Sequence, residues 1–413
     1  MDLLLTNIGL LATPRGTTAQ KGSAQGKLSL IPNATVGIKD GRIIYVGEQG
    51  SDTSATQITV TAAQTIDCGG RLVTPGLVDA HTHLVFGGWR QNELKQKLEG
   101  ASYIDILKSG GGILNTVEHT RTASETELTE KGKAHLKEML ELGVTTCEAK
   151  SGYGLTTEDE LKQLRVIQTL DKEQPVDIVP TFMGAHAIPK EFTDNRTGYI
   201  DLIISEMLPA VAKEQLAEFC DMFCETAVFT PEESYRILTE AKKYGLAPKM
   251  HADEIDPIGG AETAAQIKAI SAEHLIQASD DGIQKLAKEN VIAVLLPATS
   301  FYLDKPYARA RDMIKASVAV AIATDFNPGS SPSLNIQLTM NIACLKYKMT
   351  PAEVLTAVTL NGAAAINRAK THGSIEPGKK ADIVIWDAPD LDFIFYRYGS
   401  NLTHTVIKNG VVN

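Results

Sequence analysis

Four histidines and one aspartate carry the most chemistry in this chain: His81, His83, His251, His274 and Asp325. His81 and His83 stand two apart, after the apolar run Leu77-Val78-Asp79 and a Pro75-Gly76 turn. On an extended strand that spacing points both side chains to one side, so two imidazoles can bind one metal ion. A His-x-His pair alone is a weak signal, and a lone histidine at a strand end is more often structural than catalytic. Here His251 and His274 each close a further apolar run and Asp325 closes another, so four histidines and a carboxylate can surround one point without being near in sequence.

Such convergence requires a fold that gathers distant strand ends. Between residues 71 and 370, strand-like runs alternate with amphipathic helical segments, the pattern of a parallel α/β fold. Eight runs begin at Gly76, Gly143, Asp177, Cys220, Ala247, Ala269, Val291 and Val318, and seven of them finish in His, Asp, Glu or Lys. In a (β/α)8 barrel the C-terminal strand ends converge on one face and carry the chemistry. A doubly wound open sheet shares the alternation but does not bring eight ends together, and no Gly-x-Gly-x-x-Gly turn follows an early strand. The expectation is an α/β protein, a (β/α)8 TIM barrel over residues 71–370. Residues 1–70 and 371–413 instead show short β-branched runs with hairpin signals at Asp40-Gly41 and Asn409-Gly410. The two segments are expected to form together a small β-sandwich domain. Gly16 to Gly26, rich in Gly, Thr, Ser and Lys, reads as a mobile surface loop.

Composition narrows the partners. A net charge of −10 with no Lys/Arg cluster argues against nucleic acid, because phosphate binding needs a basic face. No apolar run reaches the ~20 residues of a membrane span. The first twelve residues lack a basic n-region and contain Asp2 and Asn7, unlike a signal peptide. Five cysteines, an odd number without framework spacing, read as free thiols in a reducing compartment, and Cys220 and Cys224 as small buried hydrophobes on a strand. The expected location is the cytoplasm and the expected substrate a small molecule.

The segments PGLVDAHTHLVFGG (Pro75 to Gly88), MHADE (Met250 to Glu254), EHL (Glu273 to Leu275) and ATDFNPG (Ala323 to Gly329) resemble the amidohydrolase superfamily. HLVFGGWRQNEL (His83 to Leu94), SGGGI (Ser109 to Ile113), KSGYGL (Lys150 to Leu155), FMGAHAIP (Phe182 to Pro189) and DFNPGSSP (Asp325 to Pro332) are similar to its imidazolonepropionase branch in particular. The resemblance spans nearly the whole chain, including GSIEPGKKADIVIWD (Gly373 to Asp387). It implies that His81, His83, His251 and Asp325 bind one zinc or iron ion per subunit. Many relatives bridge two metals with a carboxylated lysine at the end of the fourth strand. Here that strand ends in Cys224-Glu225, which implies a mononuclear site.

The implied reaction is hydrolysis of 4-imidazolone-5-propanoate to N-formimidoyl-L-glutamate in histidine degradation, by a subunit of a homodimer. A ring amide resists water, and a metal ion lowers the pKa of water to about 7. Asp325, His274 and Glu254 are the implied catalytic residues: Asp325 accepts the water's proton, His274 stabilises charge forming on oxygen, and Glu254 is a second proton carrier that also meets the ring nitrogens. His186 is implied to contact substrate. Arg90 would grip the propionate through two parallel hydrogen bonds. Tyr103 and Tyr153 would line the pocket, and Asn327, Gly329 and Ser330 would hold the amino-acid end. Trp89 stands where a smaller residue is expected and would narrow the pocket without changing the reaction. The Gly-rich Ser109 to Gly112 stretch is a candidate closing loop. Two rival readings share these residues. A deaminase of cytosine, guanine or a related ring would release ammonia, whereas ring opening does not, and a silent barrel would bind a metabolite without turnover.

Overall fold

The computed structural model describes residues 1–48, 62–100 and 111–413. From the N-terminus come β1 (Leu3–Thr13), β2 (Ser29–Lys39), β3 (Arg42–Glu48), β4 (Gln64–Asp67) and β5 (Leu72–Pro75). Eight parallel strands follow: β6 (Leu77–Asp79), β7 (Val144–Lys150), β8 (Asp177–Ala185), β9 (Phe219–Cys224), β10 (Ala247–Ala252), β11 (Ser271–His274), β12 (Ile292–Leu295) and β13 (Val320–Ile322). The chain ends in β14 (Ile383–Trp386), β15 (Thr403–Lys408) and β16 (Val411–Val412).

The terminal strands share one mixed sheet in the order β16-β15-β14-β5-β1-β2-β3, with β4 beside β1. Both hairpin signals are realised. Asp40 and Gly41 take φ of 50° and 69° between β2 and β3, and Asn409 and Gly410 take 49° and 78° between β15 and β16. Two consecutive positive φ values match the right-handed twist of the flanking strands. Leu5, Ile8, Val36, Ile38, Ile383 and Ile385 make this sheet's core.

The second sheet runs β6 through β13 in sequence order. Helices begin where sequence says they should: Glu125–Glu141 starts at a Ser124/Glu127 capping box, and Pro231–Lys243 at a Thr230/Glu233 box with proline in the first turn. Their apolar faces cover the outside of the strands, while Val78, Val179, Phe219, Val294 and Ala321 belong to a separate interior cluster. Beyond their strands, the ends of β6 and β13 are joined by main-chain bonds, His83 N to Phe326 O at 2.8 Å and Asp325 N to His81 O at 3.1 Å. Lower down, the buried Asp79 carboxylate accepts from Thr324 N at 3.0 Å and Thr324 Oγ1 at 2.6 Å. Burial pushes Asp79 up to about 7 despite the Thr324 bonds. This closure sets two histidines of the first barrel segment against the aspartate of the last.

The Gly16 to Gly26 segment is not the loose loop its composition suggests. Gln25 is buried and exchanges two bonds with Val320, Nε2 to O at 3.0 Å and N to Oε1 at 3.1 Å, and Gln20 N donates to Asn361 at 2.7 Å. A single buried amide that satisfies a strand's open backbone groups outweighs the loop-forming composition around it. Among the described residues no helix is long and apolar enough to cross a membrane. All five cysteines are free, and Cys220 and Cys224 are buried on β9.

Candidate metal centre and substrate pocket

His81 and His83 lie just past the end of β6, His251 within β10, His274 at the end of β11 and Asp325 just past β13. The barrel brings all five together, each at most 3% exposed. His81 Nε2 and His83 Nε2 lie 3.4 Å and 3.6 Å from Asp325 Oδ1, and His251 Nε2 is 3.4 Å from His83 Nε2. Ligand atoms of His81, His83 and His251 fall within 4.8 Å of one another, as do those of His81, His274 and Asp325. The second Asp325 oxygen is occupied, accepting from Thr299 Oγ1 at 2.6 Å, which aims Oδ1 at the histidines.

Electrostatics keep three of the four imidazoles neutral, while at His251 burial is outweighed by the Asp221 carboxylate, which raises the ring above the ordinary histidine value. Burial first, then the neighbouring cations, hold His81 well below the ordinary histidine value, and burial with neighbouring histidines does the same for His83 and His274. A neutral imidazole offers a lone pair, which a protonated one does not. Burial pushes Asp325 up to about 6, opposed by its bond from Thr299. Among the described residues, both ring nitrogens of His81 and Nδ1 of His83, His251 and His274 are buried without a hydrogen-bond partner, although Nδ1 of His251 stands at ion-pair distance from Asp221. Orphaned buried lone pairs are costly and rare. Convergent imidazole nitrogens and a carboxylate oxygen are the donors zinc or iron takes, so the residues fit such an ion. His274 and Asp325 also hold left-handed backbone, with φ of 66° and 53°. Non-glycine residues pay for that conformation in strain, and it clusters at functional sites.

Around the centre stand the expected pocket residues. The His186 ring stacks on His83 with centroids 4.9 Å apart and planes 19° apart. Its Nδ1 lies 3.0 Å from the Gly152 carbonyl, which can only accept, so Nδ1 carries the proton and Nε2 keeps a lone pair. Burial and the nearby His251 lower His186 to about 3. Tyr153 is buried, 5.2 Å from His186 and 5.8 Å from His83 between ring centroids. Glu254 Oε2 is 3.6 Å from His274 Nε2, and burial with the neighbouring Asp325 pushes its carboxyl up to about 8. Arg90 Nε donates to Glu93 at 3.1 and 3.2 Å, and the guanidinium packs directly on Gly329. Asn327 builds the turn beyond Asp325: Oδ1 accepts from Gly329 N at 2.8 Å and Ser330 N at 2.7 Å, and Nδ2 donates to Asp325 O at 2.7 Å. Trp89 is exposed, packed edge-on against Phe86 and Phe326. Tyr103 lies outside the described residues, as does Ser109.

Sequence reasoning missed a layer of charge beneath the centre: Glu148, Lys150, Asp221, Lys249 and Glu273, all fully buried. The signal is a spacing of two, readable once the barrel's closure is known. Glu148 precedes Lys150 by two, Lys249 precedes His251 by two, and Asp221 sits two after Phe219, so each lies on the inward side of its strand. Thr299, which orients Asp325, carried no pattern at all.

A parallel strand barrel with three imidazoles and a carboxylate at its C-terminal mouth defines a class of hydrolases, and the chain belongs to the amidohydrolase family, whose profile matches residues 72–412. It is 53% identical over 411 residues to the imidazolonepropionase of Bacillus velezensis, covering 99% of this chain and 96% of that protein. It is equally 53% identical over 412 residues, with the same coverage, to the imidazolonepropionase of Bacillus cytotoxicus. Among solved structures it matches the atrazine chlorohydrolase of Arthrobacter aurescens, complexed with zinc, with a TM-score of 0.75 at 18% identity, over 99% of this chain and 94% of that one. An adenosine deaminase from Xanthomonas campestris with bound zinc superposes with a TM-score of 0.71 at 19% identity, over 100% of this chain and 92% of that one. At that identity the likeness concerns the fold.

Proposed function

We infer that this chain is an imidazolonepropionase, which hydrolyses the ring carbon–nitrogen bond of 4-imidazolone-5-propanoate to N-formimidoyl-L-glutamate in histidine degradation. The observation that carries the reading is a hydrolytic donor set, His81, His83, His251 and Asp325, beside a guanidinium seated on the turn that follows Asp325. That pairs a centre for activating water with a grip for a substrate carboxylate.

His81, His83, His251 and Asp325 would hold one zinc or iron ion. When bound, such an ion polarises the substrate carbonyl and lowers the pKa of water to about 7. Asp325, its outer oxygen fixed by Thr299, accepts the water's proton. His274 meets the charge that grows on the carbonyl oxygen. The ring carbon–nitrogen bond then breaks, and the leaving nitrogen takes a proton passed on through Asp325 or through Glu254, protonated at neutral pH. Arg90, its Nε engaged by Glu93, binds the propionate through the amino groups of its guanidinium. His186 and Tyr153 form the wall against the ring, a role the family resemblance alone extends to Tyr103, and Asn327, Gly329 and Ser330 form the cradle for the amino-acid end.

The same reading assigns residues 71–370 to the barrel domain and 1–70 with 371–413 to the β domain, and places a homodimer in the cytoplasm. The test is the ultraviolet loss of freshly made imidazolone propionate by enzyme of known metal content, with ammonia assayed in parallel. Rapid loss without ammonia is expected. Ammonia release, or no turnover by metal-loaded protein, refutes it and directs attention to deaminase substrates.

A further inference from the structure

Five charged side chains with no solvent exposure fill the barrel below the metal ligands. Lys150 Nζ lies 2.7 Å from Glu148 and 2.8 Å from Asp221 Oδ2, and Lys249 Nζ lies 2.9 Å from Glu148 and 3.5 Å from Glu273. The Thr181 and Ser271 hydroxyls donate to Glu148 and Glu273, each at 2.6 Å. Taking an ion out of water costs several kcal/mol that pairing only partly returns, so stability is a weak account of such a cluster.

One member reaches up to the metal centre. Asp221 Oδ2 stands 3.1 Å from His251 Nδ1, while His251 Nε2, across the ring, faces His83 Nε2 at 3.4 Å. An imidazole ligates through Nε2 only when the proton sits on Nδ1. A carboxylate beside Nδ1 selects that tautomer and fixes the ring's rotation. Asp221 is fixed in turn, since Oδ1 accepts from Met222 N at 2.7 Å and Oδ2 sits against Lys150. The carboxylate contacts of His81, His83 and His274 run through Nε2, to Asp325 at 3.4 and 3.6 Å and to Glu254 at 3.6 Å, whereas that of His251 with Asp221 runs through Nδ1.

We propose that Asp221 is a positioning residue for the metal ligand His251, and that Lys150, braced by Glu148, holds the Asp221 carboxylate in place for it. The inference rests on the ligand set given above. It makes the buried charges a support for the metal, built from the floor of the barrel upward.

The test is zinc affinity of the apoprotein, measured by competition with a chromophoric chelator. Asp221→Asn is expected to weaken zinc binding by about 10–100-fold. Because that variant also leaves Lys150 one partner short, the double variant Asp221→Asn/Lys150→Met removes both charges. It is expected to regain the apoprotein's thermal midpoint but not its zinc affinity, and with cobalt in place of zinc its visible absorption bands should shift from the wild type's. Wild-type affinity and an unshifted cobalt spectrum in the double variant would mean that Asp221 merely neutralises Lys150, and would overturn the proposal. Asp221→Glu, which keeps the charge and moves the carboxylate, gives the same comparison if the asparagine variants do not fold. A His251→Ala control separates the two levels. If it binds zinc like the wild type, the ligand set falls and the proposal with it. If it loses affinity while the Asp221 variants keep theirs, only the proposal falls.

Discussion

Replacing Gly329 by alanine tests whether Arg90 grips the substrate's propionate. A Cβ at that position would lie 2.3 Å from Arg90 Nη1, 2.5 Å from Cζ and 2.7 Å from Nη2, where ordinary contacts begin at 3.4 Å. The guanidinium must therefore retreat by the difference between 3.4 and 2.3 Å, about one ångström, against an Nε anchored to the buried Glu93. Gly329 is not among the glycines with positive φ, so alanine adds no backbone strain and folding should be little affected. Hydrogen bonds to charged groups contribute about 1.5–3 kcal/mol, which is roughly a 10- to 150-fold rise in KM if the grip is lost. Because the propionate is remote from the bond that breaks, most of the change should fall on KM and less on kcat. The assay is steady-state ultraviolet kinetics on four proteins: wild type, Gly329→Ala, Arg90→Ala and the double variant. If alanine acts by displacing Arg90, it does nothing further once Arg90 is gone, and the double variant matches Arg90→Ala. Additive losses, or a Gly329→Ala enzyme within twofold of the wild-type KM, would mean that Arg90 does not grip the propionate from its seat on Gly329.

Other consequences follow from the same geometry. Glu254, pushed up to about 8 by burial and by Asp325, carries a proton at neutral pH and loses it as pH rises through that value. As a donor to the leaving nitrogen it should make kcat fall on the alkaline side, and Glu254→Gln should lower kcat by about 10²–10⁴-fold and flatten that limb. An unchanged alkaline limb in the variant contradicts the role. Chelation should abolish turnover and lower the thermal midpoint, with both restored by zinc or iron, since orphaned imidazoles lose the ion that satisfies them. Full activity at negligible metal content, measured by elemental analysis, excludes the metal-site reading. Asp177, at the start of β8, accepts from His372 Nε2 at 2.8 Å and from Lys380 and Lys408 at 2.7 Å each. Burial opposes its charge, but these partners hold its carboxyl well below the usual carboxylate range. That stabilisation is complete above the unfolded value of about 4 and is lost as pH falls toward the folded one. Asp177→Asn should therefore lower the melting temperature at pH 7, with the gap narrowing below about pH 4. A gap that stays constant down to about pH 3 argues that Asp177 contributes only packing.

The fold and the convergence of the candidate metal ligands were legible because each breaks a local rule of packing. Polar residues ending apolar runs, as at His81, His251, His274 and Asp325, are poor packing choices, and their recurrence on separate strands requires a face where strand ends meet. Asp40-Gly41 and Asn409-Gly410 were legible for a simpler reason, since their backbone conformation excludes most other residues. The Gly16 to Gly26 segment misled because composition measures what a loop's residues prefer on average, whereas one amide, Gln25, decides where this loop sits.

Asp221 and Lys150 were hidden by the barrel itself. A strand with one face in water alternates polar with apolar, so an inward charge stands out. In a barrel wrapped by helices both faces are buried, and β7 and β9 are buried at nearly every position. Charges there look like outward residues until closure is known, and only then does a spacing of two become informative. Stepping back by two from His251 reaches Lys249, and from Lys150 reaches Glu148, so the inward face of each strand continues downward from the mouth as charge. A barrel needing only to fold would fill those positions with apolar side chains, as Val179, Val294 and Ala321 do elsewhere in the interior. The charged layer lies under His251 and meets it at Asp221, which makes metal ligation, and not packing, the constraint these positions answer to.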